Sequence, residues 1–486
     1  MKKQRHQIKE GEDSPSLRPF GPPLPPLRGR WPRNAPAKGP NSQGACPPGP
    51  PEGLVLLLIV IVQAASVSGL DLETARSLAL ANSRSLARYN LAVESAQLDE
   101  KIQRYSTLPS LSLGASASAN ILGEVSLKDS LSTGASFSVS QQIYNGGKNR
   151  LLKSINTMTT GIARQEALAE YFAVLDAVDA AYYGALEAGA ALAASEAVLE
   201  AAILALAMAE IRLESGMIGY GDYLQALAER EAKETARNQA RRDLTLGLVT
   251  LKNMTGLGEP ARPEELDFEA WEEIIQKLAG LSEEESAVFL ERFRETATAN
   301  NPALVKAALA GSRAEQAVSL AKREYLPSLS AGVSGGLNYS LTSGFDRPSG
   351  RLSLSASIPL DFWVTRANVD KKAIARTEAV LEKQNAEVSL DLEIQTAALD
   401  LITQAMSVLS SRRADEYARR HYEQVLEQYR LSRASVAELS DAAALAGSNR
   451  TQYIKARYGF LGGLSKLRSL GGFSSDEALR ASLLSW

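Results

Sequence analysis

A reacting site needs side chains that can hold a metal, attack a substrate or carry a proton, and this chain of 486 residues has few of them. One cysteine, Cys46, excludes an internal disulfide and a cysteine zinc site within one chain. The two histidines, His6 and His421, lack the spacing of metal ligands, and His421 reads as a solvated helix residue. Two glycine-bearing stretches imitate nucleotide loops. "GMIGYGD" (216–222) follows no strand and has the wrong glycine order, and "NGGKN" (145–149) lacks the spacing of a phosphate loop. Serines abound in strand-like segments that offer no histidine partner. No catalytic site, metal site or cofactor is expected, and the chain does not read as an enzyme. What remains are carboxylates in two short interruptions of helical pattern: Asp222 in "ESGMIGYGDY" (214–223), and Glu438 with Asp441 in "SRASVAELSD" (432–441). Asp222 and Ser435 or Ser440 are candidate N-caps there. Taken alone, Glu438 and Asp441 are ordinary helix-start carboxylates favoured by the macrodipole.

The elements that would position these residues are long. Lys148 to Glu259 and Asp361 to Trp486 contain no proline. Leu168, Tyr171, Leu175, Val178, Tyr182, Ala185 and Leu192 follow a heptad seam. A helix from about 148 to 213 would run on the order of 100 Å, so such helices must pack along one another. Each interruption then reads as the tip of a helical hairpin.

The chain is also written twice. "LANSRSLARYNLAVESAQ" (80–97) lies over "TANNPALVKAALAGSRAE" (298–315), and "TLPSLSLG" (107–114) over "YLPSLSAG" (325–332), at one constant shift. "IRLESGMIG" (211–219) and "YRLSRASVA" (429–437) keep the same shift. Pro109 and Pro327 end helix-like stretches, because proline has no amide hydrogen and biases the preceding residue towards extended backbone. After each proline the apolar period changes from 3.6 to 2. Leu111, Leu113, Ala115, Ala117, Ala119 and Ile121 alternate with Ser110, Ser112, Gly114, Ser116, Ser118 and Asn120. Ala135, Phe137 and Val139 follow the same rule, as do Leu329, Ala331, Val333, Leu337, Tyr339 and Leu341, and then Leu352, Leu354, Ala356, Ile358 and Leu360. Four strands are predicted, at about 110–122, 131–143, 328–341 and 350–360, each apolar on one face and small and polar on the other. An ordinary amphipathic sheet would alternate too. A nearly uncharged Ser, Gly and Asn face suits a crowded or wet interior, and about ten residues is the length of a tilted membrane strand. Four strands cannot close a barrel, so lipid-facing strands require several copies of the chain; three would supply twelve.

Composition agrees. Hydrophobic residues make up 45% of the chain but aromatic ones only 6%, as in long helices. The formal charge of −3 hides a basic front end: residues 1–69 carry nine Lys/Arg against four Asp/Glu, leaving an acidic body. That body has no basic patch, which argues against nucleic acid. Residues 1–53 hold 13 of the 20 prolines and read as a Pro/Gly-rich leader or a mis-assigned start. Leu54 to Val62 reads as a secretory signal core, about half the length of a spanning helix, with cleavage near Ser68 or Gly69. No other apolar run approaches the about 20 residues of a transmembrane helix.

With these residues assembled, the chain resembles the TolC family of outer-membrane exit ducts over roughly 70–472. The resemblance rests on the duplicated helix, LPxL and strand pattern, on "QQIYNGGKNR" (141–150) and "VDAAYYGALEA" (178–188), and on the tip "RLESGMIGYGDYLQA" (212–226) and the ending "ARYGFLGGLSKLRSLGG" (456–472). It implies an α+β membrane protein: a homotrimer whose 12-stranded β-barrel in outer-membrane lipid is continued by an α-helical barrel across the periplasm. The implied partners are a periplasmic adaptor and an inner-membrane transporter, and the implied task is passive efflux or type I secretion. The implied organisation is a leader and signal peptide (1–69), a first repeat (70–257), an equatorial insert (258–298), a second repeat (299–472) and a tail (473–486), insert and tail joining in a belt. Glu438 and Asp441 match the family's acidic rings at the periplasmic constriction. Asp222 and Tyr429 match gate-latch positions; the latch arginine's position is Ala434 here, with Arg433 beside it. Three copies of Glu438 and Asp441 around one axis would concentrate negative potential at a constriction. The competing expectation is a periplasmic or surface coiled-coil protein without a pore.

Overall fold

The computed structural model describes residues 69–119, 131–340, 344–431, 433–473 and 475–484. The expected leader and signal segment lie outside these residues, as do 120–122 and 341 at the outer ends of two expected strands.

Two short helices open the chain, α1 (Leu72–Asn82) and α2 (Arg84–Tyr105), followed by strands β1 (Ser110–Ala119) and β2 (Leu131–Tyr144). A long hairpin follows, α3 (Lys148–Glu214) and α4 (Tyr220–Thr255). An insert carries α5 (Glu272–Ala279) and α6 (Glu283–Asn300). The second half repeats the order: α7 (Pro302–Lys322), β3 (Ser328–Ser340), a two-residue β4 (Gly344–Phe345), β5 (Ser349–Ser357), then α8 (Phe362–Arg430) and α9 (Val436–Gly471). A tail helix, α10 (Asp476–Leu484), ends it. The 67 residues of α3 and the 69 of α8 each span about 100 Å at the α-helical rise.

Local chemistry explains the joints. Pro109 immediately precedes β1 and Pro327 immediately precedes β3. Leu326, before Pro327, has the extended backbone that a following proline imposes. "NGGKN" turns β2 into α3: Gly146 and Gly147 sit at φ 68° and 79°, a left-handed region that side chains disfavour. The long strands form one antiparallel sheet in the order β1-β2-β3-β5, with β4 pairing the outer end of β3. The fifth strand is a departure from the four expected. It arises because Tyr339 and Phe345 sit opposite each other across the β3–β4 turn, with rings 4.8 Å apart. β1 and β5 each keep one edge without a partner among the described residues.

The core sits at mid-length of the helices, not in the sheet. Val178 and Tyr182 of α3, Ile394, Leu401 and Ala405 of α8, and Phe460 and Leu467 of α9 meet there. Ile274, Ile275 and Leu278 of α5, Phe289 and Phe293 of α6, and Leu479 and Leu483 of α10 close over them. Insert and tail touch directly: the Lys277 ammonium donates to the Leu484 carbonyl at 3.3 Å, and Arg480 lies over the Trp271 ring. The seam is buried from Leu175 to Ala185, whereas Leu168 stays 39% exposed. One sequence expectation needs correcting. An 18-residue window of α3 is apolar enough to cross a membrane by length and composition. Run length misses it because Glu196 and Glu200 interrupt an alanine-rich tract. That tract belongs to a helix about three bilayer cores long, packed against α4 and α9.

Candidate functional site

The end of the helices farthest from the sheet holds the carboxylates singled out above. α9 begins at Ser435, whose hydroxyl accepts the Glu438 amide at 3.2 Å while the Glu438 carboxylate accepts the Ser435 amide at 2.6 Å. This reciprocal capping box satisfies two amides that a helix start leaves unpaired. The bond from the Ser435 amide, helped by its hydroxyl, holds the exposed Glu438 carboxyl below the usual glutamate range. Asp441 lies three residues further on, exposed, on the same side of the helix. The expected cap at Asp222 is corrected: Gly219 is the N-cap of α4, and Asp222 reaches back from the third position to accept the Gly219 amide at 3.3 Å. Ser440 is no cap either, since its hydroxyl donates to Glu229 of α4 and joins the two hairpins.

Tyr429 is fully buried beside Ala205, Val425, Leu439 and Ala442. Its hydroxyl donates to the Ala205 carbonyl at 3.1 Å. The Arg212 guanidinium stacks 4.5 Å from its ring and donates to its main-chain carbonyl at 3.0 Å. Burial pushes the phenol's pKa up, against the pull of that cation. Arg433 stays exposed, its amide bonded to the Gln428 carbonyl. Among the described residues of one chain, Asp222, Tyr429 and Arg433 make no hydrogen bond to one another. The cation that meets Tyr429 is Arg212, which sequence reasoning did not single out.

A second polar cluster, also not anticipated, lies in the core. Arg76 of α1 grips Asp179 of α3 with two parallel bonds, Nε to Oδ1 at 2.6 Å and Nη2 to Oδ2 at 2.7 Å. Arg468 and Ser465 of α9 donate to the same Oδ2 at 2.8 and 2.7 Å. Both arginines then reach Asp476 of α10, each at 2.7 Å. Burial works against the Asp476 charge, but the two guanidiniums outweigh it and hold its carboxyl below the usual aspartate range. Asp176, one turn away, is pushed up by burial. The cluster ties the first helix, both hairpins and the tail together. Among the described residues no group of three or more His, Cys, Asp or Glu side chains could hold a metal ion.

The sheet presents two unlike faces. Leu113 and Leu352 are 83% and 81% exposed on the apolar one. Phe137 of this face covers Gly335 so closely that any side chain there would collide with its ring. On the other face hydroxyls pair across the strands, Ser110 with Ser140, Ser112 with Ser138 and Ser330 with Ser355. Aromatic residues mark both ends. Tyr144, Trp363 and the stacked pair Tyr325 and Phe362 lie at the strand-to-helix junction, and Tyr339 with Phe345 at the far end. Leu329, opposite Tyr144, and Tyr339, opposite Phe345, are ten residues apart on β3. That is about 34 Å along the strand, or about 26 Å of height at a tilt of about 40°. An outer-membrane apolar band between aromatic girdles is about 25 Å tall.

The profile of the family described as outer membrane efflux protein matches residues 75–257 and 294–472. No curated protein matches the chain. Solved structures do. The CmeC outer membrane channel of Campylobacter jejuni superposes with a TM-score of 0.68 at 18% identity, over 85% of this chain and 89% of that one. The outer membrane protein VceC of Vibrio cholerae gives 0.66 at 17% identity, over 82% and 96%. The open state of the Neisseria gonorrhoeae MtrE outer membrane channel gives 0.65 at 17% identity, over 82% and 88%. At these identities the likeness is one of fold.

Proposed function

Because this chain belongs to the outer membrane efflux protein family, and is thus an outer-membrane duct extending into the periplasm, we propose that it works as a homotrimeric, passive exit duct. In this reading it serves a tripartite efflux pump or a type I secretion system. A periplasmic adaptor and an inner-membrane transporter engage its helical tips and supply the energy. The observation that carries the reading is the open sheet. Among the described residues its long strands have no partner at the outer edges of β1 and β5, and the sheet has an exposed apolar face and a hydroxyl face opposite. Edges of this kind are closed in a barrel, and three copies contribute twelve long strands. Along α8, Trp363, Ile374, Val388 and Leu392 are also exposed, 62% or more each. A neighbouring copy would cover them.

In this duct Glu438 and Asp441 form the acidic rings at the periplasmic mouth. Asp222, Tyr429 and Arg433 belong to its gate, and Pro109 and Pro327 mark where tunnel becomes barrel. The test is extraction and conductance. The protein should leave the outer membrane only with detergent, migrate as a heat-modifiable trimer and conduct ions in planar bilayers. A product released as a soluble, non-conducting protein after signal removal would instead support a coiled-coil structural role.

A further inference from the structure

The hydroxyl face of the sheet is interrupted once. Across β1 to β5 the only side chain charged at neutral pH is Arg351, in β5. The register places it opposite Ser334, which faces Ser138, which faces Ser112, so it ends a row of three serines on the polar face. Its neighbours Leu352 and Leu354 point the other way and are 81% and 70% exposed. Arg351 is exposed, and no carboxylate among the described residues pairs with it. The nearest charges in sequence, Asp346 and Arg347, lie in the turn before β5. Towards the strand-to-helix junction this face carries Gln142, Ser330 and Ser355, then Ser328 and Ser357, all neutral.

A cation on a sheet otherwise lined by small hydroxyls has a stronger electrostatic effect on a passing solute than one among mixed charges, because no counter-charge is fixed beside it. We propose that Arg351 is the specificity-determining side chain of the barrel, where its three copies form a cationic ring that favours anionic solutes. The inference rests on the trimeric barrel reading. It places a basic ring at the membrane end of a tube whose periplasmic mouth carries Glu438 and Asp441. Solutes would thus meet charges of opposite sign in sequence.

A reporter two residues away on the same face tests it. In a Cys46→Ser background, Ser353→Cys is placed in the full-length protein in outer membranes. It is treated with sulfonate-bearing and ammonium-bearing methanethiosulfonates, with Leu354→Cys as the apolar-face control. A unit charge about 7 Å away in water should raise the ratio of anionic to cationic reaction rates roughly five- to tenfold at low salt, and less in 0.15 M salt. Arg351→Ser should abolish that excess and Arg351→Lys should keep it. An equal ratio with and without Arg351, at a reactive Ser353→Cys, would overturn the proposal and leave the barrel intact. A Ser353→Cys that aqueous reagents cannot reach, beside a reactive Leu354→Cys, would overturn the barrel reading and the proposal together.

Discussion

Arg76 and Asp179, 103 residues apart, meet in a two-bond fork whose members are 6% and 0% exposed. The fork joins the first helix to the centre of the first hairpin, and Arg468 brings in the second hairpin through the same carboxylate. Removing one member of a buried pair leaves a charge without water or partner, which costs about 3–5 kcal/mol. Asp179→Ala takes from two guanidiniums their most buried partner and leaves both to share Asp476. We expect it to lower the thermal midpoint of the detergent-purified protein sharply by circular dichroism. Replacing Arg76, Asp179 and Arg468 together with apolar residues of similar size should recover most of the loss. Equal destabilisation by the single and triple changes would mean that packing, not charge, holds this centre.

The same cluster gives a pH dependence with a definite sign. Asp476 has a folded-state pKa below its ordinary value of about 3.9, through Arg76 and Arg468 acting against burial. Its contribution is therefore complete above about pH 5 and is lost as pH falls through the unfolded value and then the lower folded value. Asp176 is shifted the other way by burial and partly offsets it. The protection of α10 amides, taken relative to intrinsic exchange at each pH, should accordingly be the same at pH 7 and pH 5 and fall only in strong acid. Tail release near pH 6 would contradict the arrangement.

At the tip, Arg212 holds Tyr429 through a stacked cation and a carbonyl bond. Arg212 is half-buried, and a cation–π contact is worth about 0.5–1 kcal/mol when exposed and about 2 kcal/mol when desolvated. Arg212→Ala should thus loosen the second hairpin's tip with little effect on the core. The expected readout is faster exchange around 425–440 and a higher conductance, with an unchanged thermal midpoint. Tyr429→Phe keeps the stacking and loses only the bond to the Ala205 carbonyl, about 0.5–1.5 kcal/mol, so it should leave the Arg212 contact and its cation–π share in place.

Legibility in the sequence followed distance along the chain. The switch from helix to strand could be read because Pro109 and Pro327 act on their immediate neighbours. The strand faces could be read because alternation is local, and Ser112 and Leu113 differ in kind. Arg76, Asp179, Arg468 and Asp476 could not. Each sits among helix charges that look solvated, and only packing of four elements brings them together. Arg212 does carry a local signal. It occupies the same position in its repeat as Arg430 does in the second, so juxtaposed tips bring it beside Tyr429. Asp222 is not the cap because a glycine can take that position at a cost of only about a few tenths of a kcal/mol. Its true place, three residues in, still accepts a main-chain amide.

Glu438 has two roles to separate, because it caps α9 and is also proposed to line the mouth. Glu438→Ala would confuse them, since losing a cap costs about 0.5–2 kcal/mol by itself. Glu438→Gln keeps an oxygen for the Ser435 amide, as the capping box allows, and removes only the charge. Combined with Asp441→Asn it removes the proposed rings while the helix start stands. Single-channel recordings of the trimer should then show higher conductance and weaker block by multivalent cations, because like charges no longer face one another across the opening. A capping role alone gives a different result: conductance and block stay where they were in Glu438→Gln with Asp441→Asn, and only Glu438→Ala lowers stability.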